Sequence, residues 1–324
     1  VPALSLSMIH VEPQCAVLDG VLNINKEGGW TSHDVVAKVR HLLGGVKVGH
    51  AGTLDPMATG VLPVLVGRAT RLSEYLVEWD KEYEAVLRLG ETTDTQDATG
   101  AVLERRTIEA LTRAAIYAAV AQFRGPLEQV PPMYSAVKVG GVPLYRAARA
   151  GKTIAREPRT VMLHLLEVVA IHERDVTLRV VCSKGTYVRT LCADIGEVLG
   201  VGGHLQSLVR TRVGPFSLDQ TLTVDDVATF HALGQLKQHL HSLDQVLDRL
   251  PSVEVDDQAV ARVKHGVPVS PENIVARHEA AAQARPGMPI RIHDSQGRLV
   301  AIGRSAESRS QPIRIEKVLM SQKS

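Results

Sequence analysis

Gly49-His-Ala-Gly-Thr-Leu-Asp-Pro-Met-Ala-Thr-Gly-Val-Leu62 is the densest chemical text in a chain of 324 residues. Its composition is that of a loop, because three glycines and a proline permit tight backbone conformations. Within it sit one imidazole, His50, and one carboxylate, Asp55. A carboxylate held just before a proline can act as nucleophile or base, although loop aspartates more often close turns. A metal-ligand pairing of His50 with Asp55 lacks a third ligand in the stretch.

Regular elements flank this loop. Upstream, Thr31 or Ser32 is the N-cap of an amphipathic helix through Val35, Val36, Val39, Leu42 and Leu43, stopped by Gly44-Gly45. Downstream, Lys81–Leu89 alternates, with Tyr83, Ala85, Leu87 and Leu89 on one face, as a half-buried strand requires. Residues 107–123 read as helix, and the turn-rich segments 129–132 and 139–143 open a long excursion over 124–160. The stretches 161–171 and 176–182 are β-rich. Ser183-Lys-Gly-Thr186 then leads into a helix through Leu191, Ile195, Val198 and Leu199 that ends at Gly200. Helices are expected over 224–249, and Pro251 marks a domain boundary. Beyond it Met288–His293, Leu299–Gly303 and Ile313–Leu319 read as short strands of a small β-rich domain, 251–324. Residues 1–20 lack periodicity and are expected to be a disordered leader outside the catalytic unit, 21–250.

Hydrophobic residues at 44% and charged residues at 22% are ordinary for a globular protein, and they exclude long disorder and fibrous repeats. No run approaches the roughly 20 apolar residues of a membrane span, and the start of the chain lacks a secretory pattern, so a cytoplasmic protein is expected. Three cysteines suit neither a disulfide framework nor a four-ligand zinc site. The net charge of +2 hides segregation: seven basic and two acidic residues lie over 124–160, and eight basic and three acidic over 285–324. Two such segments suit a polyanion-binding surface, or else two solvated faces.

The opening stretch closely resembles the catalytic motif of the TruB-type tRNA pseudouridine synthases. Further segments follow in the family's order: Lys26-Glu-Gly-Gly-Trp-Thr-Ser-His-Asp-Val-Val36, Asp80-Lys-Glu-Tyr83, Val130-Pro-Pro-Met-Tyr-Ser-Ala-Val-Lys138, Cys182-Ser-Lys-Gly-Thr-Tyr-Val-Arg189 and Gly203-His-Leu-Gln-Ser-Leu-Val-Arg210. The resemblance spans roughly 21–215, and it departs from the family at Glu27, where proline is usual. More weakly, 251–324 resembles the PUA RNA-binding fold. The implied architecture is α+β: a mixed, largely antiparallel sheet with flanking helices and a basic thumb-like insertion at 124–160, followed by the PUA-like domain.

The resemblance also implies roles. Asp55 is the essential carboxylate, acting at C1′ or on the base as nucleophile, or at C2′ as base. Arg189 is its charge partner, favouring the ionised form against burial. Tyr187 and Arg189 share a face if locally extended. Tyr83 stacks on the flipped uracil, Tyr187 and Leu208 line its pocket, and His50 fills the gap the nucleotide leaves. For Leu208, ordinary helix core is the competing reading. Lys138, Arg146 and Arg149 are candidate phosphate contacts. The expected substrate is the T stem-loop of tRNA, modified at uridine 55, by a monomer with no metal, cofactor, membrane or obligatory protein partner. The rivals are a guide-RNA-dependent enzyme acting on ribosomal RNA, an idle RNA-binding protein, and a metal hydrolase built on His50 and Asp55. Asp94-Thr-Gln-Asp97 lacks the rhythm of a calcium loop and reads as turn chemistry.

Overall fold

The computed structural model describes residues 18–320 apart from 136, 279–280, 282–283 and 309, and apart from the side chains of 138, 143, 145 and 149. Most of the expected leader, with Cys15, therefore lies outside the described residues. Its last two positions are structural: Asp19 pairs with Arg68 at 2.8 Å, and Gly20 opens the first strand.

The central sheet runs in the order Gly20–Lys26, Thr59–Val66, Gly203–Val213, Lys81–Leu89, Asp175–Cys182, Arg159–His172, Gly125–Gln129. Every neighbouring pair is antiparallel except Thr59–Val66 with Gly203–Val213, which meet in parallel at Val209 opposite Thr59 and Arg210 opposite Gly60. Alternation places Tyr83, Ala85, Leu87 and Leu89 inward, in one core with Leu163, Leu178, Leu191 and Leu205. The helix Ser32–Leu42 buries Val35, Val36 and Val39 against the opposite part of the sheet. Thr31 is its N-cap, in a capping box with Asp34.

Four expectations need correction. The opening stretch is not loop throughout: Val48–His50 and Thr59–Val66 are paired strands, which leaves 51–58 as the connection. The helix expected over 107–123 is Arg113–Ala121. Within 224–249 only Val224–Ala232 is a helix of more than four residues, because Gly234 and Leu240 break the pattern. Leu208 lies on a strand, not on a helix.

A five-stranded sheet follows, in the order Ile274–Arg277, Ser252–Val255, Pro289–His293, Leu299–Arg304, Arg314–Val318, with its own core around Val253, Ile292 and Val300. Ile302 and Leu319 leave that core and pack with Leu65, Leu72 and Leu76 of the catalytic unit. Polar ties reinforce the junction: Tyr75 donates to Glu316 at 2.8 Å, Lys317 pairs with Glu74 at 2.7 Å, and Arg291 and His293 both reach Asp244 at 2.8 Å. No helix among the described residues is long and apolar enough to cross a membrane.

Candidate active site

The connection 51–58 is held from three sides by side chains that grip its main chain and not its one carboxylate. From the first strand Lys26, fully buried, donates from Nζ to the carbonyls of Glu27 at 2.8 Å, Trp30 at 2.7 Å and Pro56 at 3.2 Å. Glu27, where the family pattern has proline, thus enters through its carbonyl. From the helix start Ser32 Oγ accepts from Leu54 N–H at 2.9 Å and donates to the Leu54 carbonyl at 3.2 Å. From the parallel strand Arg210, 1% exposed, donates to the carbonyls of Val61 at 2.7 Å, Gly52 at 3.2 Å and Thr53 at 3.4 Å. Gly60 has φ +101°, and a Cβ there would lie 2.3 Å from the Arg210 carbonyl, so only glycine lets these strands meet.

Asp55 emerges from this cradle with its side chain 30% exposed, facing Arg189, whose side chain is 5% exposed. The Arg189 guanidinium reaches Asp55 Oδ1 at 3.3 Å, the Tyr134 carbonyl at 2.6 Å and Asp97 Oδ2 at 3.6 Å. Asp97 Oδ1 is spent on turn contacts, accepting from the Thr95 hydroxyl at 2.8 Å, the Thr99 hydroxyl at 2.6 Å and the Thr99 N–H at 3.0 Å. The turn reading of this segment is therefore right for one oxygen of Asp97, while the other faces Arg189.

Burial is the largest influence on Asp55 and pushes its carboxyl above the usual carboxylate range; Arg189 opposes it, Asp97 adds to it, and Lys26 and Arg210 oppose it less strongly. The guanidinium therefore offsets the burial in part, where the sequence reading expected it to hold the carboxylate ionised. A carboxylate raised in this way is a stronger base and nucleophile than a free one. Lys26 is lowered to about 8, mainly by burial and then by Arg210.

Arg189 and Tyr187 do not share an extended face. Tyr187 is the N-cap of the helix Val188–Val198, and Arg189 is its second residue. They nonetheless come together, with the guanidinium carbon 5.8 Å from the centre of the Tyr187 ring. Burial raises the Tyr187 hydroxyl, beside Ser135. Tyr83 is 8% exposed, and burial raises its hydroxyl to about 12 next to Arg210. Leu208, 6% exposed, packs in the cluster that includes Tyr83 and Leu54. His50 meets His33 edge to face at 5.5 Å. Burial, His33 and Arg210 lower it to about 4, so it is neutral at physiological pH and suited to stacking. Arg146 is exposed on the short helix Leu144–Arg149 of the insertion, and the side chains of Lys138 and Arg149 lie outside the described residues.

Lys26 and Arg210 stood in quoted motifs without a role, and Ser32, Asp97, Gln129 and Tyr134 had none at the site. One signal was available: Arg210 is two residues after Leu208 on the same strand face, and a charge at an inward position must have buried partners. The others act through main-chain atoms or a distant segment, which spacing does not reveal.

Comparison with known proteins decides the lineage. The model for the TruB family pseudouridylate synthase N-terminal domain matches residues 40–188, and that for the tRNA pseudouridylate synthase B C-terminal domain matches 189–250. The chain is 43% identical to tRNA pseudouridine synthase B of Stutzerimonas stutzeri (strain A1501), over 90% of this chain and 92% of the relative. It is 45% identical to tRNA pseudouridine synthase B of Burkholderia mallei (strain ATCC 23344), over 96% of this chain and 98% of the relative. The chain belongs to the TruB family of tRNA pseudouridine synthases. The fold agrees with that placement. A solved Cbf5-Nop10-Gar1 complex contains a chain that matches with TM-score 0.74 and 31% identity, over 93% of this chain and 85% of that one. An H/ACA RNP bound to a substrate RNA contains another, with TM-score 0.73 and 28% identity, over 94% and 86%. As a TruB-family enzyme the chain isomerises uridine in tRNA.

Proposed function

We propose that this enzyme converts uridine 55, in the T arm of tRNA, to pseudouridine with Asp55 as the reacting carboxylate and no cofactor. The single observation that carries the reading is the raised, partly open Asp55 carboxyl, 3.3 Å from Arg189 and clamped through its neighbours' carbonyls. The N1–C1′ bond breaks, the uracil turns, and C5 bonds to C1′ as C5 loses its proton and N1 gains one. Redox equivalents and an energy source have no place in that balance.

The target base is stacked in the T arm, and extruding it costs a few kcal/mol. Tyr83 stacks on the extruded uracil, Leu208 and Tyr187 bound it, and neutral His50 stacks where the nucleotide was. Arg189 stabilises the carboxylate during charge redistribution, and Tyr83 moves the C5 proton. The insertion 124–160, with Lys138, Arg146 and Arg149, holds the phosphates, and the C-terminal β domain serves as a PUA-type RNA platform. The enzyme works as a cytoplasmic monomer without an obligatory partner.

A guided reading is raised by the likeness to the chains in the Cbf5-Nop10-Gar1 complex and the H/ACA RNP. The identity of 43–45% to proteins named tRNA pseudouridine synthase B favours direct action on tRNA. The test is carbodiimide adduct mapping of an unmodified tRNA transcript incubated with the purified chain and a chelator, beside Asp55→Asn. Pseudouridine at position 55 with wild type alone supports the reading. Product only after a guide RNA or partner protein is added overturns independent action, and product with Asp55→Asn overturns the assignment of the carboxylate.

A further inference from the structure

We propose that Gln129 is a positioning residue for the reaction, through which the root of the basic insertion fixes the Tyr187–Arg189 end of the site. The inference rests on the reading that Arg189 and Tyr187 serve the chemistry. Gln129 is the last residue of the edge strand Gly125–Gln129 and pairs with Arg159, the first residue of the strand to which the insertion returns. Both legs of the insertion therefore meet at Gln129. The residue is buried, at 1% exposed.

Both polar atoms of its side chain are spent on one backbone. The Tyr187 N–H donates to Gln129 Oε1 at 2.9 Å, and Gln129 Nε2 donates to the Tyr187 carbonyl at 3.0 Å. A reciprocal pair of this kind fixes the amide and the peptide groups it grips. Tyr187 is the N-cap of Val188–Val198, a helix with no side-chain cap of its own, so Gln129 supplies from another strand the fixation that a local cap would give. Arg189 lies two residues on, and its guanidinium must meet Asp55, Asp97 and the Tyr134 carbonyl together. A small rotation at Tyr187 would break that convergence. The chain just after Gln129 returns to the same place, with the Tyr134 carbonyl on Arg189 and Ser135 beside Tyr187. The insertion's root thus grips the backbone of Tyr187 and abuts both functional side chains.

The test is the single-turnover rate of pseudouridine formation at saturating tRNA transcript, with RNA affinity by filter binding and thermal unfolding in parallel, for wild type, Gln129→Met, Gln129→Glu and Arg189→Ala. Gln129→Met keeps the length and removes both hydrogen bonds. Its rate is expected to fall roughly ten- to a hundredfold, the cost of misplacing a reacting group, with RNA affinity within about threefold of wild type. Gln129→Glu, ionised, cannot donate to the Tyr187 carbonyl. Protonated, it is an isostere of glutamine, so its rate relative to wild type should climb as pH falls, a limb that general loss of stability would not produce. A Gln129→Met rate within about twofold of wild type, or a loss confined to RNA affinity, overturns the proposal. If Gln129→Met does not fold, the Gln129→Glu profile decides, and a profile parallel to wild type overturns it. An undiminished rate in Arg189→Ala removes the site reading and this proposal with it, whereas a slow Arg189→Ala beside a fast Gln129→Met removes this proposal alone.

Discussion

Asp55 is expected to trade stability for reactivity, and the sign of that trade can be worked out. Its carboxyl is raised in the folded protein, so the folded state holds its proton to higher pH than the unfolded chain does. Its contribution to stability is therefore lost as pH rises from the ordinary carboxylate range through the raised value. Asp55→Asn, which carries no such penalty, should unfold at or above the wild-type temperature at pH 7, with the gap closing toward pH 3 to 4, while forming no pseudouridine. An Asp55→Asn variant less stable than wild type at pH 7 would sink the claim that burial outweighs Arg189. Lys26 gives the opposite slope. Its ammonium is lowered to about 8 from 10.5, so the unfolded state binds the extra proton between those values and wild-type stability should rise with pH across that window. In Lys26→Met that rise should shrink, and three carbonyls lose their buried donor, at about 1–3 kcal/mol for each group left unsatisfied. Urea unfolding of the two proteins at pH 8 and pH 10 measures both effects.

The helix Ser32–Leu42 couples two functions that adjacent residues keep separate. Thr31 caps the helix through Asp34, and Thr31→Ala should cost about 1 kcal/mol of stability with little effect on turnover. Ser32 grips Leu54, the residue before Asp55, so with Asp55 as the proposed reacting carboxylate Ser32→Ala should slow single-turnover catalysis by roughly tenfold or more while RNA affinity holds. Equal behaviour of the two variants would show that the helix supports the connection only through global stability. The helix and its cap were legible because period and cap chemistry are local, as was the alternation of Lys81–Leu89. The strand Gly203–Val213 was not, since Gly203, His204, Gln206 and Arg210 obscure its alternation and Arg210 is an inward charge. Asp55, Arg189, Tyr83 and Tyr187 were singled out by motif resemblance, and the structure brings Asp55, Arg189 and Tyr187 together. The clamps by Ser32 and Gln129 grip carbonyls and N–H groups, which nearly every residue has, and so leave no mark in the type of the residue gripped.

Across the whole molecule the two basic segments, equal in net charge, are used differently. Over 285–324, Arg291 is committed to Asp244, Lys317 to Glu74, Arg304 to Glu316 and Arg298 to Asp294. Asp244 and Glu74 belong to the catalytic unit, so part of the excess that sequence counting assigned to this segment is spent on joining the two domains. The insertion behaves otherwise: Arg146 is exposed on its helix, on the segment whose root abuts the active site. Each phosphate neutralised contributes about 0.9 to the slope of log affinity against log salt on a duplex. Arg146→Ala should therefore lower the slope for tRNA binding by about 0.9, with the single-turnover rate at saturating RNA unchanged. Arg304→Ala removes a charge already neutralised by Glu316 and should leave the slope unaltered, although it loosens the contact with Tyr75 and Glu316 that holds the last strand to the catalytic unit. Filter binding over 50 to 400 mM salt separates the two. A larger change in slope for Arg304→Ala than for Arg146→Ala would place the electrostatic footprint on the C-terminal domain, leaving the insertion to act by shape and by its grip on Tyr187 and Arg189.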